Sequence, residues 1–93
     1  MIKRLRTLEG PLRARGVTSM GMFGSRARGD HRDSSDLDVL MAVDDKVRFT
    51  LLDLADLAVM ASDCTGSAVN PVIAADLQLS FRQRIVDELT EIF

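Results

Sequence analysis

Apolar residues at Ile2, Leu5, Leu8 and Leu12 recur at intervals of three and four, which predicts an amphipathic helix at the start of the chain. Pro11 should kink or break it near Gly10, and Gly16 should stop it. Val17 to Phe23 is compact and apolar and predicts a first strand. Gly24 to Ser35 is glycine-rich and charged, as a loop is, with room for a helical turn after Ser25. Leu37 to Val43 is almost continuously apolar, the pattern of a strand covered on both faces. Thr50 and Asp53 resemble a capping box, with Asp in the usual Glu place, opening a helix that runs to about Ser62 and is ended by Asp63-Cys64-Thr65-Gly66. Ala68 to Ile73 predicts a third strand, and Pro71 suits an edge position. Ser80 and Gln83 form a second capping signature. Phe81, Ile85 and Leu89 then share a helix face, with Val86 and Phe93 beside them. The order helix, strand, strand, helix, strand, helix predicts an α+β fold, a small mixed sheet with helices packed against it. Residues 1–93 are expected to form a single domain.

Composition narrows this little. With 46% hydrophobic and 28% charged residues, the sequence matches an ordinary globular protein. Ninety-three residues leave little room for a separate acceptor-binding domain. Twelve basic against fourteen acidic residues give a net charge of −2, without the basic excess of a general nucleic-acid binder. The single cysteine, Cys64, excludes an intrachain disulfide and suits a reducing compartment. It is expected to be a small buried hydrophobe rather than a nucleophile. The basic Met1-Ile2-Lys3-Arg4-Leu5-Arg6 start lacks a signal peptide's apolar core, and no run approaches the roughly 20 residues of a membrane span. A cytoplasmic protein with no membrane association is expected. Its oligomeric state is left open, since small apolar-rich domains often dimerise.

The informative stretch is Phe23-Gly24-Ser25-Arg26-Ala27-Arg28-Gly29, followed by Ser34-Ser35-Asp36-Leu37-Asp38-Val39-Leu40. Side chains alternate along a strand, so Asp36 and Asp38 share a face while Leu37 and Val39 anchor the other. Two ionised carboxylates side by side repel, and a divalent cation between them removes the conflict. Oxygen-only ligation favours Mg²⁺, which shares substrate phosphates and retains water. Gly24 lets a phosphate approach the backbone, where N–H groups and the Ser25 hydroxyl can donate to it. Arg26 and Arg28 can neutralise phosphate charge with forked donors. A Gly-Ser turn is common in loops, a strand-start Asp pair is usually solvated, and an arginine cluster is usually a charged surface. Their combination, in this order, carries the argument.

That combination resembles the signature of the minimal nucleotidyltransferases (MNT) of the polymerase-beta-like superfamily. The resemblance extends to Leu51-Leu52-Asp53-Leu54 and to Arg82-Gln83-Arg84-Ile85. It implies a nucleotidyltransferase-like fold and transfer of AMP from ATP to a hydroxyl. For chains of this size it also implies the antitoxin role in toxin–antitoxin pairs whose partner is a HEPN-type toxin, in some pairs modified on a tyrosine. Residue by residue, Gly24 and Ser25 match the family's triphosphate-binding turn, and Asp36 and Asp38 its metal-binding aspartates. The resemblance implies two Mg²⁺ ions, the second supported by a third carboxylate from a strand reading Val-Asp-Leu-Val. Here Val69-Asn70-Pro71-Val72 aligns with that strand, which puts Asn70 in the third carboxylate's place. Asparagine can offer a carbonyl oxygen but neither a negative charge nor a base, so the second metal and acceptor activation are both in question. Asp63 and Asp76 are the carboxylates left to compensate, and both are expected off the strand.

Three functions compete. The first is Mg²⁺-dependent nucleotidyl transfer from ATP to a hydroxyl of a partner protein, with Asp36, Asp38 and Asn70 at the chemistry and Gly24, Ser25, Arg26 and Arg28 on the nucleotide. The second is a catalytically degenerate relative that neutralises a HEPN-type toxin by binding alone, which Asn70 favours. The third is nucleic-acid binding through Arg26, Arg28 and Arg32, against which stand the acidic net charge and the presence of Phe as the only aromatic type. His31, Asp30 and Asp33 are expected to be loop surface, Met20, Met22 and Met41 core, and Arg82 and Arg84 solvent- or partner-facing.

Overall fold

The computed structural model describes residues 2–24 and 36–93. Its elements are α1 (Ile2–Arg6), α2 (Glu9–Ala14), β1 (Val17–Phe23), β2 (Leu37–Val43), α3 (Leu51–Thr65), β3 (Val69–Ile73), a 3₁₀ turn (Ala74–Asp76), α4 (Leu79–Asp87) and β4 (Thr90–Glu91). The strand order is β3-β2-β1-β4. β1 is antiparallel to both β2 and β4, while β2 and β3 run parallel. A parallel pair needs a long crossover, and α3 supplies it. The result is the expected α+β fold with a mixed sheet.

The first helix is two helices. The break falls at Thr7 and Leu8, upstream of the position expected from Pro11. Pro11 lies in the first turn of α2, where an N–H has no helical partner to lose. Thr7 instead turns its hydroxyl onto the Arg4 carbonyl at 2.6 Å. The Thr50–Asp53 capping box forms as the sequence predicts, with both backbone N–H groups satisfied by side chains. α3 runs three residues past Ser62 and ends at Gly66, which takes the left-handed conformation. The Ser80–Gln83 signature does not cap α4. Gln78 is the N-cap, without a side-chain bond, and Ser80 falls within the first turn. Leu77 packs on the core and donates its N–H to Ala74 O at 3.2 Å, so the chain leaves the 3₁₀ turn early enough to start the helix at Leu79.

The sheet has two unequal faces. Leu5, Leu12, Leu57 and Ala61 from α1, α2 and α3 pack on Val17, Met20, Met22, Leu37, Val39 and Met41. A register shift between Val17 and Ser19 changes the phase of β1, which brings Val17 onto the same face as Met20 and Met22. The expectation that these methionines are core holds, as does edge placement for Pro71. On the opposite face Phe23, Leu40 and Ile85 form a smaller cluster with Val72, Leu77 and Leu89 around it. Gly21 makes room there, since a Cβ on it would lie 2.6 Å from the Leu89 side chain. Val86, expected beside the core, is exposed because Ile85 and Leu89 take the inward-facing positions.

β4 is too short to show a period in sequence, and long-range contacts place it. Arg6 donates to Ile92 O at 2.9 Å, and the Arg13 guanidinium lies over the Phe93 ring at 5.2 Å. Met20 exchanges backbone hydrogen bonds with Ile92 and Phe93. Cys64 is only partly buried, and its thiol donates to Arg4 O at 3.0 Å. No described helix is long and apolar enough to cross a membrane.

Leu12 is fully buried, so Leu12→Ala should lower unfolding free energy by about 2–5 kcal/mol in urea denaturation. Asp53 has its pKa lowered, first by the Thr50 backbone N–H and then by the Thr50 hydroxyl. The resulting stability is present above the ordinary carboxylate pKa and is lost as pH falls through the lowered one. Thr50→Ala should therefore cost stability at neutral pH, and the gap from wild type should narrow but not vanish in acid when unfolding midpoints are compared across pH, because the hydroxyl's bond to the Asp53 carboxylate is lost there while its cap of the Asp53 N–H is not.

Candidate nucleotide and metal site

Pairing register builds the site. Asp38 is the second residue of β2, the strand between β1 and β3. Its Cα partner is Phe23 on one side and Asn70 on the other. Alternation puts Leu37 and Val39 into the larger core and leaves Asp38 on the face of Leu40, the one that α4 covers. Asn70 reaches that face by the same rule, two residues before Val72. Its side-chain amide donates to Asp38 Oδ1 at 3.2 Å. The other carboxylate oxygen, Oδ2, lies against Gly24, where an added Cβ would be 2.5 Å away. Gly24 has φ 78°, a conformation that L side chains rarely adopt. Glycine is required here twice, for the turn and for the room it leaves the carboxylate. Asp36 immediately precedes β2 and is exposed.

A carboxylate absent from the sequence-based site completes the surroundings. Glu88, at the end of α4, accepts the Gly24 N–H at 3.1 Å. Phe81, Arg84, Ile85 and Glu88 from the helix side face Phe23 and Gly24 across a cavity of about 210 Å³. Phe81, Arg84 and Glu88 are spaced to share one side of a helix, a signal present in the sequence. That this side faces Gly24 depends on how α4 docks. Arg84 is exposed, as expected, whereas Arg82 is partly buried and its Nε has no hydrogen-bond partner among the described residues. A larger cavity of about 280 Å³ opens elsewhere on this face, beside Ser19, Ala42 and Phe93. Glu91 is its one ionisable group, so it offers little chemistry.

The donor set suits one hard cation better than two. Asp36 and Asp38 offer carboxylate oxygens, and Mg²⁺ needs only one or two of these beside waters and phosphate. Among the described residues no group of three His, Cys, Asp or Glu side chains is arranged to hold a metal. Asp63 lies on α3 and Asp76 in the 3₁₀ turn, both off β3 as expected. Ser25, Arg26, Arg28, His31, Asp30, Arg32 and Asp33 lie outside the described residues.

The fold agrees with comparison to known proteins. A family model described as "Nucleotidyltransferase domain" matches residues 2–92. The chain belongs to the nucleotidyltransferase domain family. A protein proposed to be a minimal nucleotidyltransferase is 30% identical and superposes with a TM-score of 0.78, over 95% of this chain and 92% of that one. A toxin–antitoxin structure with AMP-PNP gives a TM-score of 0.80 at 19% identity, over 99% of this chain and 72% of the other. A complex of tri-AMPylated Shewanella oneidensis HEPN toxin with MNT antitoxin gives 0.72 at 17% identity, over 100% and 72%. No curated protein matches in sequence.

Gly24→Ala should cost about 1–3 kcal/mol in unfolding free energy, from the left-handed backbone alone. The contact with Asp38 Oδ2 adds a second signature, displaced Asp38 and Asn70 signals in a heteronuclear NMR spectrum.

Proposed function

We propose that the chain is a Mg²⁺-dependent nucleotidyltransferase that moves AMP from ATP to a hydroxyl of a partner protein, and that it is the antitoxin of a HEPN-type toxin. The observation that carries this is the Asp38 carboxylate set between Gly24 and Asn70 at the end of the sheet. The acceptor and the partner are supported by the AMPylated HEPN toxin bound to an MNT antitoxin in one structural neighbour. The nucleotide is supported by AMP-PNP in another.

Asp36 and Asp38 would hold the cation, which supplies charge neutralisation to the phosphates. Ser25, Arg26 and Arg28, which follow Gly24 in sequence, would donate to the phosphates. The acceptor oxygen bonds to the α-phosphorus, the α–β bridging bond breaks, and pyrophosphate leaves. Asn70 stands beside Asp38 where the family's third carboxylate is expected. It is neutral and cannot take the acceptor's proton, so that proton goes to an aspartate or to water. Its amide holds Asp38 Oδ1 in place by donating to it. The neutral amide favours a second reading, because a site with Asn70 in a carboxylate's place lacks the negative charge that a second cation would need. On that reading the chain binds nucleotide and neutralises its partner by contact alone.

Label transfer from α-labelled ATP to a co-expressed HEPN-type partner, with Mg²⁺, separates the two. The transferase reading expects labelled partner from wild type, a loss in Asp36→Ala or Asp38→Ala larger than the roughly 10–100-fold typical of changing a metal ligand's outer-shell partner, and an increase in Asn70→Asp. No label from wild type but label from Asn70→Asp would overturn the transferase reading and leave a nucleotide site without its chemistry, as the second reading requires.

A further inference from the structure

We propose that Glu88 is a positioning residue of the cation site: its hydrogen bond to the Gly24 N–H ties the turn after β1 to α4, and through Gly24 it holds the Asp38 carboxylate in place. This rests on the nucleotidyltransferase reading and adds to it a residue outside the Asp36, Asp38 and Asn70 set.

The need for a tie begins with Gly24. Glycine loses more conformational freedom on folding than any other residue, and Gly24 is held at φ 78°. It lies so close to Asp38 that a Cβ added to it would be 2.5 Å from Oδ2. A shift of the Gly24 backbone therefore changes the space on one side of the carboxylate. On the other side the Asn70 amide donates to Oδ1 at 3.2 Å. Asn70 is exposed, so water competes for that bond, and it is a weak restraint by itself.

Glu88 supplies a firmer restraint. Its Oε1 accepts the Gly24 N–H at 3.1 Å in a partly buried setting. Both ends of this bond are anchored by one buried cluster. Phe23, the residue before Gly24, belongs to it, and so does Ile85, which is 3% exposed. The Glu88 N–H donates to Ile85 O at 3.1 Å, so the buried residue also fixes the Glu88 backbone. Ordering a side chain costs entropy, and a bond between two backbones that are already held costs only that of the side chain itself. Packing on the α4 side of the sheet thus reaches Asp38 through Glu88 and Gly24.

This role needs an acceptor oxygen at the right reach, and it does not need a charge. Arg84 lines the same cavity, so the carboxylate does not stand there as an isolated anion. An amide oxygen in its place would accept the same N–H. A carboxylate one methylene shorter keeps the charge and loses the reach. The two substitutions separate positioning from an electrostatic or acid–base role, for which the charge itself is required.

Titration of the full chain with the Mn²⁺–ATP complex, followed by water-proton relaxation enhancement, tests this for wild type, Glu88→Gln and Glu88→Asp. Glu88→Asp should weaken binding about 10- to 100-fold, the range for losing a partner that orients a metal ligand. Glu88→Gln should bind at near wild-type affinity. In heteronuclear NMR spectra without ligand, the Gly24 and Asp38 amide signals should move in Glu88→Asp and stay in place in Glu88→Gln. Near wild-type affinity in Glu88→Asp would overturn the assignment, whatever Glu88→Gln does. Weakened binding in Glu88→Gln would overturn it too, because the charge and not the hydrogen bond would then be what the site requires. Wild type that binds no Mn²⁺–ATP would overturn the nucleotidyltransferase reading itself.

Discussion

The register of β2 against its two neighbours is the constraint on which the rest depends. Antiparallel pairing sets Asp38 opposite Phe23, and parallel pairing sets it opposite Asn70. A slip of one residue on either side would turn Asp38 into the larger core and Leu37 or Val39 out of it. Burial of Leu37, Val39 and Met41 therefore fixes the position of a carboxylate that none of them touches through chemistry. The crossover helix α3 makes the parallel pair possible, and its Leu57 and Ala61 pack on the same core that holds the register. Stability and site geometry are coupled through one strand.

Gly24 converts that register into a site. It turns the chain at the end of β1, leaves space for Asp38 Oδ2, and presents its N–H to Glu88. Asp38 accepts from the Asn70 amide, and Glu88 lines the cavity between Phe23 and Phe81.

Much of this was legible in the sequence, for identifiable reasons. β1 and β2 follow from apolar runs long enough to have a period, and the capping box of α3 from side chains that bond within four residues. Strand alternation and a family pattern singled out Asp38 and Asn70, and the register sets the two side by side. What escaped was set by tertiary contact. Leu8 accepts the Leu12 N–H and so begins α2 ahead of Pro11, and Arg6 and Met20 position the C-terminal strand. Glu88 escaped because it joins Gly24 across 64 positions, through the docking of a helix whose own sequence says nothing about which strand end it meets.

Paramagnetic broadening by Mn²⁺ with ATP, read in a heteronuclear NMR spectrum, tests the central claim most directly. Binding at the Asp38 register predicts that the amide signals of Gly24, Asp38 and Asn70 broaden first, while those along α3 persist. Broadening centred on Asp53, Asp56 and Asp63 of α3, or spread evenly over the chain, would contradict it.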